Sequence, residues 1–146
     1  MSEFHAQVSI DRPLEEIFAY LVNPETQVVW QSGLQEFDAD WGDEPKVGDR
    51  SRGIIKVAGK KMQWETEVVE VERPEKVVFR SVESPFSFQI SYSLRRVGDS
   101  TEVRYDGSTG VMGGFFGKFA DPLVAHMYQR DTNSNLANLK AVLEER

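Results

Sequence analysis

The chain has 146 residues, no cysteine, and 24 acidic against 17 basic residues, for a net charge of -7. This length fits one domain over residues 1–146 and removes enough surface from water to leave room for a pocket inside the core. The acidic balance argues against a nucleic-acid partner, which needs clustered Lys and Arg to displace counterions, and the missing cysteines exclude disulfides, thiolate nucleophiles and thiolate-ligated metals.

The opening MSEFHAQ has neither the basic region nor the apolar run of a signal peptide. No stretch reaches the roughly 18 apolar residues of a membrane span, so a cytoplasmic location without integral membrane association is expected. Phe4, Ala6, Val8 and Ile10 then alternate with His5, Gln7 and Ser9, the pattern of a half-buried strand. Asp11-Arg12-Pro13 ends it. Pro13 suits a first helical turn, Glu15 and Glu16 suit the positive end of a helix dipole, and Ile17, Phe18, Leu21 and Val22 repeat at helical spacing up to Asn23-Pro24. A second short helix is expected from Pro24 to about Trp30.

From Gly33 to Thr109 the pattern becomes strands between turn residues: Gly42, Gly48-Asp49, Gly59-Lys60, Arg73-Pro74-Glu75, Ser84-Pro85 and Gly98-Asp99. About six strands fit. They lie too close together for crossover helices, so the sheet is expected to be antiparallel. In the clearest strand Phe86, Phe88, Ile90, Tyr92 and Leu94 alternate with Ser87, Gln89, Ser91 and Ser93, and Met62-Trp64-Thr66-Val68 and Thr101-Val103-Tyr105 repeat the pattern. After Pro122 the period turns helical through Leu123, Met127, Leu136, Leu139 and Leu143. One long helix cannot cover every aromatic on such a sheet, so the sheet should curl around it and leave space between them.

Three phrases in this order, IDRPLEEIFAYLVNPETQVVW (Ile10 to Trp30), YSLRRVGDSTEVRYD (Tyr92 to Asp106) and LANLKAVLEE (Leu136 to Glu145), resemble the START-like, helix-grip superfamily (SRPBCC). The likeness covers essentially the whole chain and points to the polyketide cyclase/dehydrase-type branch. It implies an α+β helix-grip fold: a curved antiparallel sheet of about seven strands wrapped around a long C-terminal helix, with two short helices after the first strand. It also implies a cavity between sheet and helix that holds a small hydrophobic molecule. It does not imply an enzyme, because one fold hosts many functions.

The expected ligand-binding residues are Trp30, Trp64, Phe88, Ile90, Tyr92 and Tyr105, with Phe116, Phe119, Leu123 and Met127 from the helix side and Arg130 as the inward-facing guanidinium. Each alone also fits ordinary core packing. Ser108 to Pro122 holds four glycines and three phenylalanines in fifteen residues. It is no phosphate loop, because Phe119 follows the Gly-Lys pair where Ser or Thr is required. Gly113, Gly114 and Gly117 suit either a gate over the cavity mouth or a plain connector into the helix. Asp38, Asp40, Asp43 and Asp49 have a partial likeness to a calcium loop, spoiled by Gly42 at the wrong place and by Pro45; solvated loop carboxylates are expected instead. His5 is expected on a wet face, and His126 has no evident acid to orient it as a general base.

No nucleophile, acid–base pair, metal set or cofactor motif emerges, so no catalytic residue and no cofactor are assigned. The leading expectation is a monomer that sequesters or carries a lipid-like or aromatic, polyketide-like molecule. A cofactor-free polyketide aromatase/cyclase and an interaction module like the superfamily's chaperone-ATPase activators remain open.

Overall fold

The computed structural model describes the backbone of residues 2–57, 59–82, 87–109 and 122–146, and the side chains of all of these except 2, 57 and 122–128. Strand β1 (Ser2–Ile10) is followed by helices α1 (Leu14–Val22) and α2 (Gln27–Trp30). Six strands come next: β2 (Leu34–Ala39), β3 (Arg50–Val57), β4 (Lys60–Glu72), β5 (Lys76–Ser81), β6 (Phe88–Val97) and β7 (Ser100–Thr109). The chain closes with helix α3 (Pro122–Glu144). All neighbouring strands are antiparallel, in the order β1-β7-β6-β5-β4-β3-β2. The curled sheet and its C-terminal helix form the helix-grip fold expected from the sequence. Among the described residues, no helix is long and apolar enough to cross a membrane.

The strand periodicity sets the inner face. On β6, Phe88, Tyr92 and Leu94 are buried while Gln89 is exposed, and they pair with inward residues of β7 such as Tyr105 and Val103. On β4 an irregularity between Val68 and Glu70 inserts one residue, so Val71 packs on the core and Glu70 turns out to meet Lys76 at 3.2 Å. Without that insertion the period of two would send Glu70 inward. The β6–β7 hairpin turns at Gly98, whose φ of 61° is a left-handed conformation that a side chain would strain.

Ile17, Phe18, Leu21 and Val22 put the apolar face of α1 into the core, with Leu136, Leu139 and Leu143 of α3 in the same cluster. Arg12 locks the end of α3: its guanidinium donates to the carbonyls of Leu143 (2.9 Å), Glu144 (3.2 Å) and Arg146 (2.6 Å). The first two belong to the last turn of α3, whose carbonyls have no donors within the helix, and the third lies just beyond it. The Asp11 amide donates to the Glu144 carboxylate at 2.9 Å, and Lys140 bridges the Ser9 carbonyl to Glu144. The corner after β1 therefore fixes α3 across the sheet.

Candidate functional site: an aromatic cavity under the sheet

The last carbonyls of α1 run out of intrahelical donors, and side chains from outside that helix donate to them and to the C-cap Asn23, beside the backbone bonds from Asn23 to Tyr20 and from Thr26 to Asn23. Thr26 Oγ1 donates to the Tyr20 carbonyl at 2.6 Å, and Gln27 Nε2 to those of Leu21 (2.7 Å) and Asn23 (2.9 Å). Trp41 Nε1 donates to the Val22 carbonyl at 2.8 Å. This end of α1 is thereby held as one wall of a cavity that Leu21, Val22, Gln27 and Trp41 help to line.

The cavity measures about 130 Å³ and lies between the inner face of the sheet, α2 and α3. Its β2–β5 side is an aromatic cluster. Trp41 stacks on Phe79 with centroids 6.1 Å apart, and Phe37 meets Trp41 at 6.4 Å and Trp64 at 5.8 Å. On the β6–β7 side Tyr92 and Tyr105 meet edge to face at 5.4 Å. Two glycines let these rings lie flat. A Cβ at Gly53 would stand 2.6 Å from Cζ2 of Trp64, its cross-strand partner, and one at Gly107 would stand 2.7 Å from the Tyr105 hydroxyl. Each ring covers backbone that a side chain would otherwise occupy.

Half-exposed polar groups mark the open side. Gln31, Ser32, Asp131 and Asn135 line the cavity there, and the Asn135 side-chain oxygen accepts from the Ser32 amide at 2.6 Å, tying α3 to the end of α2. Deep inside, Ser51 and Thr66 are 2% and 4% exposed, and their hydroxyls are hydrogen-bonded to each other at 2.7 Å.

Of the residues expected at a ligand site, Trp64, Phe88, Ile90, Tyr92 and Tyr105 do line this cavity. Trp30 does not: it is 1% exposed in the core behind Tyr92, edge to face with it at 6.1 Å. Its indole N–H is buried without an acceptor among the described residues. Arg130 does not face inward either. Its side chain is 62% exposed and sits 3.6 Å from Asp131, because the cavity-facing stripe of α3 runs through Asp131, Thr132 and Asn135. Phe116, Phe119, Gly113, Gly114 and Gly117 lie outside the described residues, as do the side chains of Leu123, Met127 and His126; the gate and the connector thus both stay expectations.

Phe37, Trp41 and Phe79 join the site without having been expected there. Phe37, Ala39 and Trp41 carry a period of two that marks them as one face, but the carboxylates between them give the stretch the look of a loop. Asp38 and Asp40 are instead on the outer side of β2, bound to Arg52 at 2.5 and 2.9 Å. The Arg52 hydrogen bond, then the Arg50 backbone amide, holds the Asp40 carboxyl below the usual carboxylate range, and the same pairing pushes Arg52 up. Asp49 accepts from the Lys46 amide. Among the described residues no group of acidic and histidine side chains is arranged to hold a metal ion. His5 meets Asp106 at 2.6 Å on the exposed side of β1, across the sheet from the cavity.

The family model for polyketide cyclase / dehydrase and lipid transport matches residues 1–144. The chain belongs to this family. Among solved structures, this family member is similar to TTHA0849 from Thermus thermophilus, with TM-score 0.81 and 21% identity over 96% of this chain and 95% of that one. It is also similar to the major latex-like protein 151 of Panax ginseng (0.76, 18%, covering 96% and 95%). It matches as well the di-domain ARO/CYC BexL from the BE-7585A biosynthetic pathway (0.74, 17%), where it spans 99% of itself and 47% of that chain. At these identities the likeness is one of fold. No curated protein matches the sequence.

Proposed function

We propose that this protein binds and carries a small aromatic molecule of about one ring, held in the cavity between the sheet and α3. The observation that carries this reading is the cavity itself. Its volume of about 130 Å³ is on the scale of cavities that accept a single ring. Its walls combine aromatic faces with a few placed polar groups, the usual composition of a ligand site. Aromatic walls favour an aromatic occupant, since stacked and edge-on ring pairs add to the gain from burial alone. A long acyl chain or a fused ring system asks for more space. The family's description, which includes lipid transport, agrees with a carrier of apolar molecules.

Binding is preferred to catalysis because the placed amides and hydroxyls have structural partners, and Asp131, the one carboxylate among the described lining residues, sits 3.6 Å from Arg130 rather than beside a second acid or base. Gln27 holds α1, Asn135 holds the Ser32 amide, and Ser51 and Thr66 hold each other. On this reading the working unit is a monomer and its partner is the small molecule.

Native mass spectrometry of freshly purified protein, followed by titration with phenols, alkylbenzenes, fatty acids and sterols, tests the reading. Saturable one-to-one binding of the single-ring compounds, stronger than that of the sterols and long fatty acids, is the expected result. Failure of every single-ring compound to saturate would overturn it.

A further inference from the structure

The buried hydroxyl pair of Ser51 and Thr66 carries more than a structural hydrogen bond. Ser51 on β3 faces Thr66 on β4 as a direct cross-strand pair, and both line the cavity. Two hydroxyls bring two protons, and their mutual bond uses one of them. Either oxygen can be the donor, so the remaining proton can sit on either side chain. Among the described residues neither side chain has another hydrogen-bond partner. One O–H donor is therefore left over at positions only 2% and 4% exposed. A buried donor without an acceptor is costly, and a native protein supplies the acceptor from water or from a ligand.

We propose that this pair is the polar anchor of the cavity, donating one hydrogen bond to an acceptor oxygen carried by the aromatic ligand, of aryl ketone or phenol ether type. The proposal rests on the reading that the cavity binds a one-ring aromatic. The surroundings sharpen it. The cross-strand neighbours of the pair along the inner face are Gly53 and Trp64, with the indole laid over the glycine. A planar ligand lying against that ring can direct an in-plane oxygen towards the hydroxyls. Within the pair, the hydroxyl that accepts from its partner is polarised by that bond and becomes the better donor to a third group. An acceptor is also what an isolated hydrocarbon lacks, so the pair converts an apolar pocket into one that discriminates.

The probes are acetophenone and α-methylstyrene, which differ only in C=O against C=CH2, each titrated into wild-type protein and variants by NMR. The quantity read is the ratio of the two affinities, which cancels whatever the variant does to the pocket as a whole. In Ser51→Ala/Thr66→Val both hydroxyls go together, so no partner is left unpaired and the fold is expected to persist. The ketone-to-alkene ratio should fall about tenfold, the loss of one buried hydrogen bond to a neutral acceptor. Ser51→Ala and Thr66→Val each leave one proton and should lower the ratio by less than about threefold. A purely structural pair would give no change in the ratio in any variant, and that result would overturn the proposal.

The infrared carbonyl stretch of acetophenone bound to wild-type protein gives a readout that needs no variant. A band shifted down from its position in alkane is expected; a band at the alkane position overturns the anchor. If neither probe binds, the cavity reading itself fails. If both bind and the ratio and the band stay put, the anchor alone fails.

Discussion

Replacing Gly53 with alanine isolates the contact that lays Trp64 against the sheet. Gly53 has no left-handed φ, so a change to alanine in an unhindered strand would stabilise by about 0.4–1 kcal/mol through the unfolded chain. The added Cβ is hindered. It would stand 2.6 Å from Cζ2 and 2.9 Å from Cε2 of Trp64, and 2.6 Å from the Glu36 carbonyl oxygen. Ordinary contact lies near 3.5–4.0 Å, so the overlap is about 1 Å on two sides. The indole can tilt, but only into the cavity, and the Glu36 oxygen belongs to the backbone of the paired strand β2. Overpacking of this kind costs about 1–3 kcal/mol, which leaves a net loss of roughly 1–2 kcal/mol and, at about 3 °C per kcal/mol for a domain of this size, lowers Tm by roughly 3–7 °C. Thermal unfolding followed by circular dichroism reads the shift, and the displaced indole should also weaken binding of a single-ring ligand. Gly42→Ala is the matched control: nothing lies within 4 Å of its added carbon, and Tm should hold or rise slightly. A Gly53→Ala protein as stable as wild type, with unchanged affinity, would refute the reasoning.

Arg12→Ala should cost about 2 kcal/mol, since it removes a partly buried guanidinium from three carbonyls at the negative end of α3; urea unfolding should show a lower midpoint with unchanged slope. Trp41→Phe keeps the stack on Phe79 but leaves the buried Val22 carbonyl without its donor, a loss of about 1–3 kcal/mol measurable in the same assay. Acid should weaken the fold in a defined window. The carboxyls of Glu144 (through the Asp11 amide, then Lys140) and Asp40 (through Arg52, then the Arg50 amide) are held below their unfolded values. Their contribution is therefore full above the ordinary carboxylate range and lost as pH falls through the lowered folded values. At low salt, the stability gap between wild type and Asp40→Asn/Glu144→Gln should be constant near neutrality and close below about pH 5; a gap that widens on acidification would contradict the pairing.

The fold was readable where periodicity was undisturbed. β6 alternates without interruption, and α1 announces itself by Pro13, its two glutamates and its apolar stripe. β2 was harder. A register shift between Leu34 and Glu36 breaks the alternation at its start, and the carboxylates between Phe37 and Trp41 give the rest the look of a loop. On α3 the periodicity places Leu136, Leu139 and Leu143 in the core, and only the inward guanidinium, Arg130, misses the cavity, by one position. Arg130 and Asp131 differ by one residue, which on a helix is about 100° of rotation, enough to exchange solvent for cavity. Asp131 and Asn135 look like surface residues in any hydropathy pattern, and their place on the cavity wall is set by how the β1 corner fixes the helix. Ser51 and Thr66 become a pair only through the β3–β4 register, and Gly53 and Gly107 matter only through the rings lying over them.

The most direct test of the cavity as a one-ring aromatic site is a heteronuclear NMR titration of the tryptophan indole N–H signals with toluene. Trp41 and Trp64 line the cavity, and Trp30 lies behind Tyr92. The Trp41 and Trp64 signals should shift together and saturate with one Kd in wild-type protein. In Ile90→Phe, where a larger side chain fills the space from β6, the same titration should need much higher toluene. Indole signals that fail to saturate, or that respond identically in both proteins, would contradict a binding cavity under the sheet.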